Sequence, residues 1–247
     1  MVNWINIWYN KNTDVQKLED IILKNNLLGK DYAMNTAEKE VKNNQLVPVS
    51  SAGAVQGAIK RNIVGISPSN YLTQVLSMIP DDFNGKLLEF PAGNQAYTAE
   101  KFRKISGAEI TVADSDVDIL LGTQKAYETA GLRYVTYNDG DMARLKHKDE
   151  TFDYVLCING LHSFADNVST LREAARVMKK GGHLCGCCYV RGRRAFNDFR
   201  VNMFQARKGV YVPPFHTVSE LERTMNSLFK VVEVKAVKSA LIFHCIK

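Results

Sequence analysis

At 247 residues, with 45% hydrophobic and 23% charged side chains, the chain has room for one α/β domain plus an elaboration, and its composition excludes a disordered or fibrous protein. The formal charge of +6 is a mild excess that suits an acidic substrate or a nucleic acid without demanding either. No run approaches the roughly 18 apolar residues of a membrane-spanning helix, and MVNWINIWYNKN lacks a basic-then-apolar leader pattern. A cytoplasmic protein with no membrane among its partners is therefore expected.

Residues 1–80 read as a helical extension. Trp4, Ile5, Ile7, Trp8 and Tyr9, then Val15, Leu18, Ile21, Ile22, Leu27 and Leu28, recur at helical spacing, which predicts two or three amphipathic helices before residue 46. Their apolar faces suit docking on the following domain or a lid closing over a substrate. Residues 46–65, with Ser50, Ser51, Gly53, Gly57 and Gly65, read as a connection. Ser67-Pro68 then predicts a helix with Ser67 at the N-cap and Pro68 in its first position, running to about Met78.

From residue 81 onward, strands and helices alternate. Lys86 to Phe90 is a short apolar run closed by Pro91, Ala92 and Gly93, which predicts a buried strand entering a tight turn. A helical pattern starts at Asn94 and stops at Gly107, and a second strand runs from Ala108 to Ala113. Its tip is Asp114, 21 residues after Gly93. Such a strand, glycine turn, helix and strand with an acid at its end can hold an adenosine ribose. Next come a helix at about 115–129, a strand at 133–137, the turn Asn138-Asp139-Gly140-Asp141-Met142-Ala143 and the run Phe152-Asp153-Tyr154-Val155 opening a fourth strand to Ile158. A helix is predicted from Asp166 to Lys179, with Lys179-Lys180-Gly181-Gly182 at its C-terminus. A fifth strand follows from His183 to Val190. Residues 191–216 interrupt the rhythm, and a helix at 218–227 and strands at 230–236 and 240–246 restore it as a closing hairpin.

Cys157, Cys185, Cys187, Cys188 and Cys245 all sit in strand-like segments, and their odd number argues against a disulfide framework. In Cys185-Gly186-Cys187-Cys188 the first and third face one way and the last faces the other, which predicts core packing and no metal site.

Glu89-Phe90-Pro91-Ala92-Gly93-Asn94-Gln95 resembles the first motif of the class I S-adenosylmethionine-dependent methyltransferases, an acid-x-G-x-G-x-G loop, with Glu89, Gly93 and Asn94 in register. Two glycines of the pattern are replaced, and Gln95 stands where the third would be; in a left-handed backbone it would be strained. The Gly140-Asp141-Met142-Ala143 turn and the Phe152-Asp153-Tyr154-Val155 strand extend the resemblance, which covers about residues 84–247. A nicotinamide dinucleotide suits this loop less well, because its pyrophosphate must approach bare glycine backbone.

The resemblance implies a Rossmann-like α/β fold: a mostly parallel seven-stranded sheet with an antiparallel closing strand, preceded by the helical extension at 1–80, with the cofactor domain at 81–247 and a substrate-covering insertion at 191–216. It implies S-adenosylmethionine as cofactor. Glu89 would meet the methionine ammonium, with Pro91, Gly93 and Asn94 forming the loop around it. Asp114 would accept the ribose hydroxyls beside Ser115, Asp141 and Met142 would take the adenine edge with Met142 or Val117 flanking the ring, and Asn159 would line the same edge. Asn159-Gly160-Leu161-His162 is closer to small-molecule methyltransferases, including the quinone-biosynthesis type, than to nucleic-acid enzymes, so a small-molecule acceptor and no nucleic-acid partner are expected. The alternatives are an RNA-modifying enzyme and a cofactor-binding protein without turnover.

Two further groups complete the site as read. Residues 191–208 carry Arg191, Arg193, Arg194, Arg200, Arg207 and Lys208 against Asp198 alone, and Arg191 or Arg194 is expected to hold an acidic or phosphorylated group of the acceptor. His162, after the fourth strand, is the expected base if one is used, with Tyr211 or His216 closing the pocket opposite it.

Overall fold

The computed structural model describes residue 63 and residues 65–92, 95–207, 209 and 211–247. Of the two units into which the chain divides, Met1–Glu40 and Val41–Lys247, the second holds every described residue. The expectations for residues 1–62, and those at Gly93 and Asn94, lie outside the described residues.

Seven strands form one sheet in the order β3-β2-β1-β4-β5-β7-β6. They are β1 (Lys86–Glu89), β2 (Glu109–Asp114), β3 (Val135–Asp139), β4 (Phe152–Ile158), β5 (Met178–Tyr189), β6 (Val231–Val237) and β7 (Ala240–Ile246). β7 runs antiparallel to β5 and β6, and the pairings from β3 to β5 are parallel. This is the mostly parallel sheet with an antiparallel closing strand that the sequence predicted. The α-helices among the described residues are α1 (Ser69–Leu76), α2 (Gln95–Lys104), α3 (Val117–Thr129), α4 (Asn167–Val177), α5 (Ala195–Arg200) and α6 (Val218–Asn226). Strand alternation divides the core between the two faces. Leu87, Ile110, Cys185 and Cys187 pack with Tyr71, Phe102 and Tyr127 on one side, whereas Leu88, Val155, Leu184 and Cys188 pack with Leu171, Val177 and Leu221 on the other. The cysteines thus fill the core on the faces assigned to them, and burial pushes the Cys157 thiol up to about 12. Gly186 interrupts their run because a Cβ there would lie 2.3 Å from the Cys157 carbonyl and 2.5 Å from the Phe243 ring.

Two boundaries differ from expectation. α4 ends at Val177: Met178 is extended and pairs with Phe152, and the lysine expected to finish the helix, Lys179, instead bonds Asp153 across the sheet at 2.8 Å. The cap of α1 is Pro68 rather than Ser67, although the Ser67 carbonyl still accepts from the Asn70 amide at 3.0 Å. α1 packs on β5 and β7, with Tyr71, Leu72 and Val75 wholly buried. Among the described residues no helix is long and apolar enough to cross a membrane.

Candidate active site

Because β1 to β5 run in parallel, their carboxyl ends share one edge, the usual ligand edge of an open α/β sheet. Backbone bonds continue past the strands and fix those tips: Phe90 N donates to Leu156 O at 2.9 Å, Ala92 N to Ala113 O at 3.2 Å, Gly140 N to Asp114 O at 3.1 Å and Asn159 N to Cys187 O at 2.9 Å. The loop after β4 touches the loop after β1. Gly160 has no room for a side chain, since a Cβ would lie 2.6 Å from Pro91 Cδ and 2.7 Å from Cys157 Sγ.

Glu89 ends β1 with no exposed surface. The Tyr127 hydroxyl of α3 donates to its Oε2 at 2.7 Å, and Thr98 of α2 hydrogen-bonds that hydroxyl. Its other oxygen, Oε1, is buried with no hydrogen-bond partner, as is the Tyr137 hydroxyl. Burial first, and the Asp114 carboxylate next to it, push the Glu89 carboxyl up to about 8, against the lowering effect of Tyr127 and Thr98. Asp114, also buried, accepts from the Asp116 amide through one oxygen at 2.9 Å, and Asp116 in turn caps α3 through Asp118 N and Ile119 N. Two acids at adjacent strand tips, one with an orphaned oxygen, suit a ligand that brings a cation to the first and a diol to the second. Ser115 and Asp141 are exposed beside them, and Asp141 Oδ1 holds the Ala143 amide at 2.8 Å. The Met142 side chain is buried in the core with Leu88 and Phe90. That leaves Val117, 52% exposed, as the apolar flank. Gln95 is the first residue of α2, and in that right-handed backbone it meets none of the strain expected of a glycine substitute.

Past β4 the chain turns at Asn159, whose φ of +54° is a left-handed conformation uncommon outside glycine. Its side chain bonds Tyr71 Oη of α1 at 3.4 Å and accepts from Cys187 Sγ at 3.5 Å. His162 is 2% exposed, its Nδ1 accepts the Tyr189 amide at 3.0 Å, and its ring lies 4.2 Å from Tyr211, which is itself wholly buried. Tyr189, Tyr211 and Phe215 complete an aromatic group at the ends of β4 and β5, with centroids 5.5 to 6.4 Å apart.

Residues 88–186 match the family described as methyltransferase domain. The chain is 36% identical over 102 residues to a demethylmenaquinone methyltransferase from Mycobacterium sp. strain JLS and 35% identical over the same length to one from Mycobacterium tuberculosis; each match covers 41% of this chain and 40% of the relative. It thus spans about two fifths of the length of these curated relatives. Among solved structures, a SAM-dependent methyltransferase from Aquifex aeolicus superposes with a TM-score of 0.54 at 15% identity, over 71% of this chain and 89% of that one. The YcgJ protein from Bacillus subtilis superposes with a TM-score of 0.58 at 17% identity, over 68% and 71%. Residues 88–186 thus resemble a methyltransferase domain, and the α/β unit shares the fold of these solved structures.

Within this α/β unit, Glu89, Pro91, Asp114, Ser115, Asp141, Asn159 and His162 fall on one edge of the sheet. Others are tied down. Arg191 spends its guanidinium on Phe215 O at 2.6 Å and Glu220 Oε1 at 3.0 Å, which braces the 211–217 segment against α6. Arg194, at the start of α5, is exposed. His216 Nε2 bonds Asn167 Oδ1 at 2.9 Å, and Asn167 Nδ2 donates to Leu161 O, so this ring ties α4 to the two segments that flank the aromatic group. As for the expected base, a neutral His162 that accepts at Nδ1 carries its proton on Nε2. It presents a donor, not a lone pair, for as long as the bond to Tyr189 holds. Sequence reading missed Tyr127, Thr98 and Tyr189, which look like ordinary core aromatics and a helix polar residue until the fold brings them to the site.

Proposed function

We propose that this chain transfers a methyl group from S-adenosylmethionine to a small aromatic acceptor, of the kind named in the demethylmenaquinone methyltransferases it matches. The observation that carries the reading is the pair of buried acids at the tips of β1 and β2, with Glu89 Oε1 unpartnered. Bound S-adenosylmethionine would supply a methyl already activated by its sulfonium. Glu89 would receive the ammonium and Asp114 the ribose hydroxyls, with Ser115, Asp141 and Val117 around the adenine and Asn159 shaping the edge nearest the methyl. Pro91 and Gly160 hold the two loops together so that both acids stay aimed.

For the acceptor, Phe215, only partly buried and backed by the buried rings of Tyr189 and Tyr211, would offer aromatic surface. The work of the chain's own residues is then to hold the acceptor in line and dry. His162 enters as a positioning residue that locks the end of β5 through its bond from the Tyr189 amide. Arg194 is the residue proposed to meet an acidic group of the acceptor, with Arg191 and His216 bracing the wall beside it. A nucleic-acid acceptor fits less well, because Arg191, which follows the end of β5, is paired with Glu220.

The test is calorimetric titration with S-adenosylmethionine and its demethylated product, followed by transfer of radioactive methyl into a solvent-extractable metabolite fraction and into RNA. Binding with label in the metabolite fraction is expected. Label in RNA alone, or binding without any transfer, would replace this reading with the corresponding alternative.

A further inference from the structure

The environment of Glu89 goes beyond a cofactor contact. Its carboxyl is enclosed by groups from four elements: Thr98 from α2, Tyr127 from α3, Asp114 from β2 and, acting at longer range, Tyr137 from β3. Every one of these is neutral or negative near neutral pH. Tyr127 is wholly buried, and burial followed by the charge of Glu89 keeps its phenol protonated, so it remains a donor to Oε2 at any physiological pH. Among the described residues the buried oxygen Oε1 has no hydrogen-bond partner. A carboxylate in such a place lacks both a counter-charge and half of its hydrogen bonds, whereas a neutral carboxyl lacks only a bond.

Resting on the cofactor reading above, we propose that S-adenosylmethionine binding to this chain is proton-linked: the buried carboxyl of Glu89, aimed by Tyr127, gives up a proton as it takes up the cofactor's ammonium. The balance is simple. The O–H bond of the carboxyl breaks, the proton leaves to solvent, and the carboxylate pairs with an ammonium that keeps its own three protons. Tyr127 is a positioning residue, since it touches neither cofactor nor substrate and acts through the oxygen it holds.

The sign follows from linkage. With Glu89 titrating at about 8 in the free protein and an α-ammonium at about 7.7–8.0, ligand and protein both carry their protons at pH 6–7. Binding then releases one proton, and affinity rises about tenfold from pH 6 to pH 7. S-adenosylhomocysteine has the same ammonium and needs no acceptor, so it is the probe. Calorimetry in two buffers of different ionisation enthalpy counts the protons at pH 6.5. About one released by the wild type and none by Glu89→Gln, together with loss of the tenfold rise, is the expected result. Tyr127→Phe removes a bond that favours the charged form, so its pH break should move upward with the proton count kept; a purely structural tyrosine would lower stability and leave the break in place. Binding by the wild type with no proton released, or an unchanged count in Glu89→Gln, overturns the linkage while leaving the cofactor reading intact. Heat with neither S-adenosylmethionine nor S-adenosylhomocysteine at any pH removes the cofactor reading itself.

Discussion

At the scale of single residues, Glu89 sets stability against the cofactor contact proposed for it. A carboxyl raised to about 8 in the fold but titrating near 4.3 when unfolded costs stability as pH rises through that interval. The penalty is absent below the unfolded value and complete above the folded one. Glu89→Gln should therefore raise the melting temperature of the free protein by several degrees at pH 8.5 and change it little at pH 4, as differential scanning fluorimetry across pH would show, while weakening the cofactor. Equal stabilisation at both pH values would assign the gain to packing. Asp114→Asn should weaken S-adenosylhomocysteine about tenfold or more, the cost of losing hydrogen bonds to a charged acceptor, with near-wild-type melting. His162→Gln keeps an amide in place of the ring and tests positioning: turnover should fall without loss of an ionisation from the rate profile, whereas disappearance of an ionisation near pH 6–7 would restore His162 as a base.

Among the elements, α6 and the turn after β4 are the joints that hold the proposed acceptor wall. Thr217 and Glu220 form a reciprocal capping box at the start of α6, and Glu220 also pairs with Arg191. Thr217→Ala should cost about 1 kcal/mol in chemical denaturation and, because it loosens the segment bearing Phe215, raise the Michaelis constant for the acceptor while sparing cofactor affinity. The turn after β4 is less forgiving. Gly160→Ala places a methyl against Pro91 and Cys157, where overpacking costs about 1–3 kcal/mol, and it shifts the loop that carries Glu89's neighbours. Both stability and cofactor affinity should fall together, unlike in Thr217→Ala.

For the whole molecule, acid stability should depend on charge networks far from the site. Arg176 at the end of α4 bonds Glu173, Asp149 and the carbonyls of Leu145 and His147. The Arg176 bond holds the Glu173 carboxyl below its usual range. A depressed carboxylate stabilises above its unfolded value and loses that contribution as pH falls through the folded one. Glu173→Gln should thus destabilise by about 1–2 kcal/mol at pH 7, a gap that closes toward pH 3 in urea titrations. The network clamps the loop before β4 to α4, on the face of the sheet opposite α1 to α3.

What the sequence determined by itself was whatever is written locally. Alternation placed Cys187 and Cys188 on opposite faces, turn residues marked the strand ends, and the acids Glu89 and Asp114 were legible because the edge they share follows from strand direction alone. Helix ends were less legible: Lys179 and the glycines after it mimic a helix terminus, but pairing of Met178 with Phe152 ends the helix two residues sooner. Side-chain partners were not legible at all. Tyr127 lies 38 residues from Glu89 in sequence, the Tyr189 amide 27 from His162 and Glu220 29 from Arg191. Those meetings depend on strand order and on which helix covers which tip, so only the tertiary structure could leave one Glu89 oxygen buried without a partner, set the His162 ring against the Tyr189 amide and pair Arg191 with the first turn of α6.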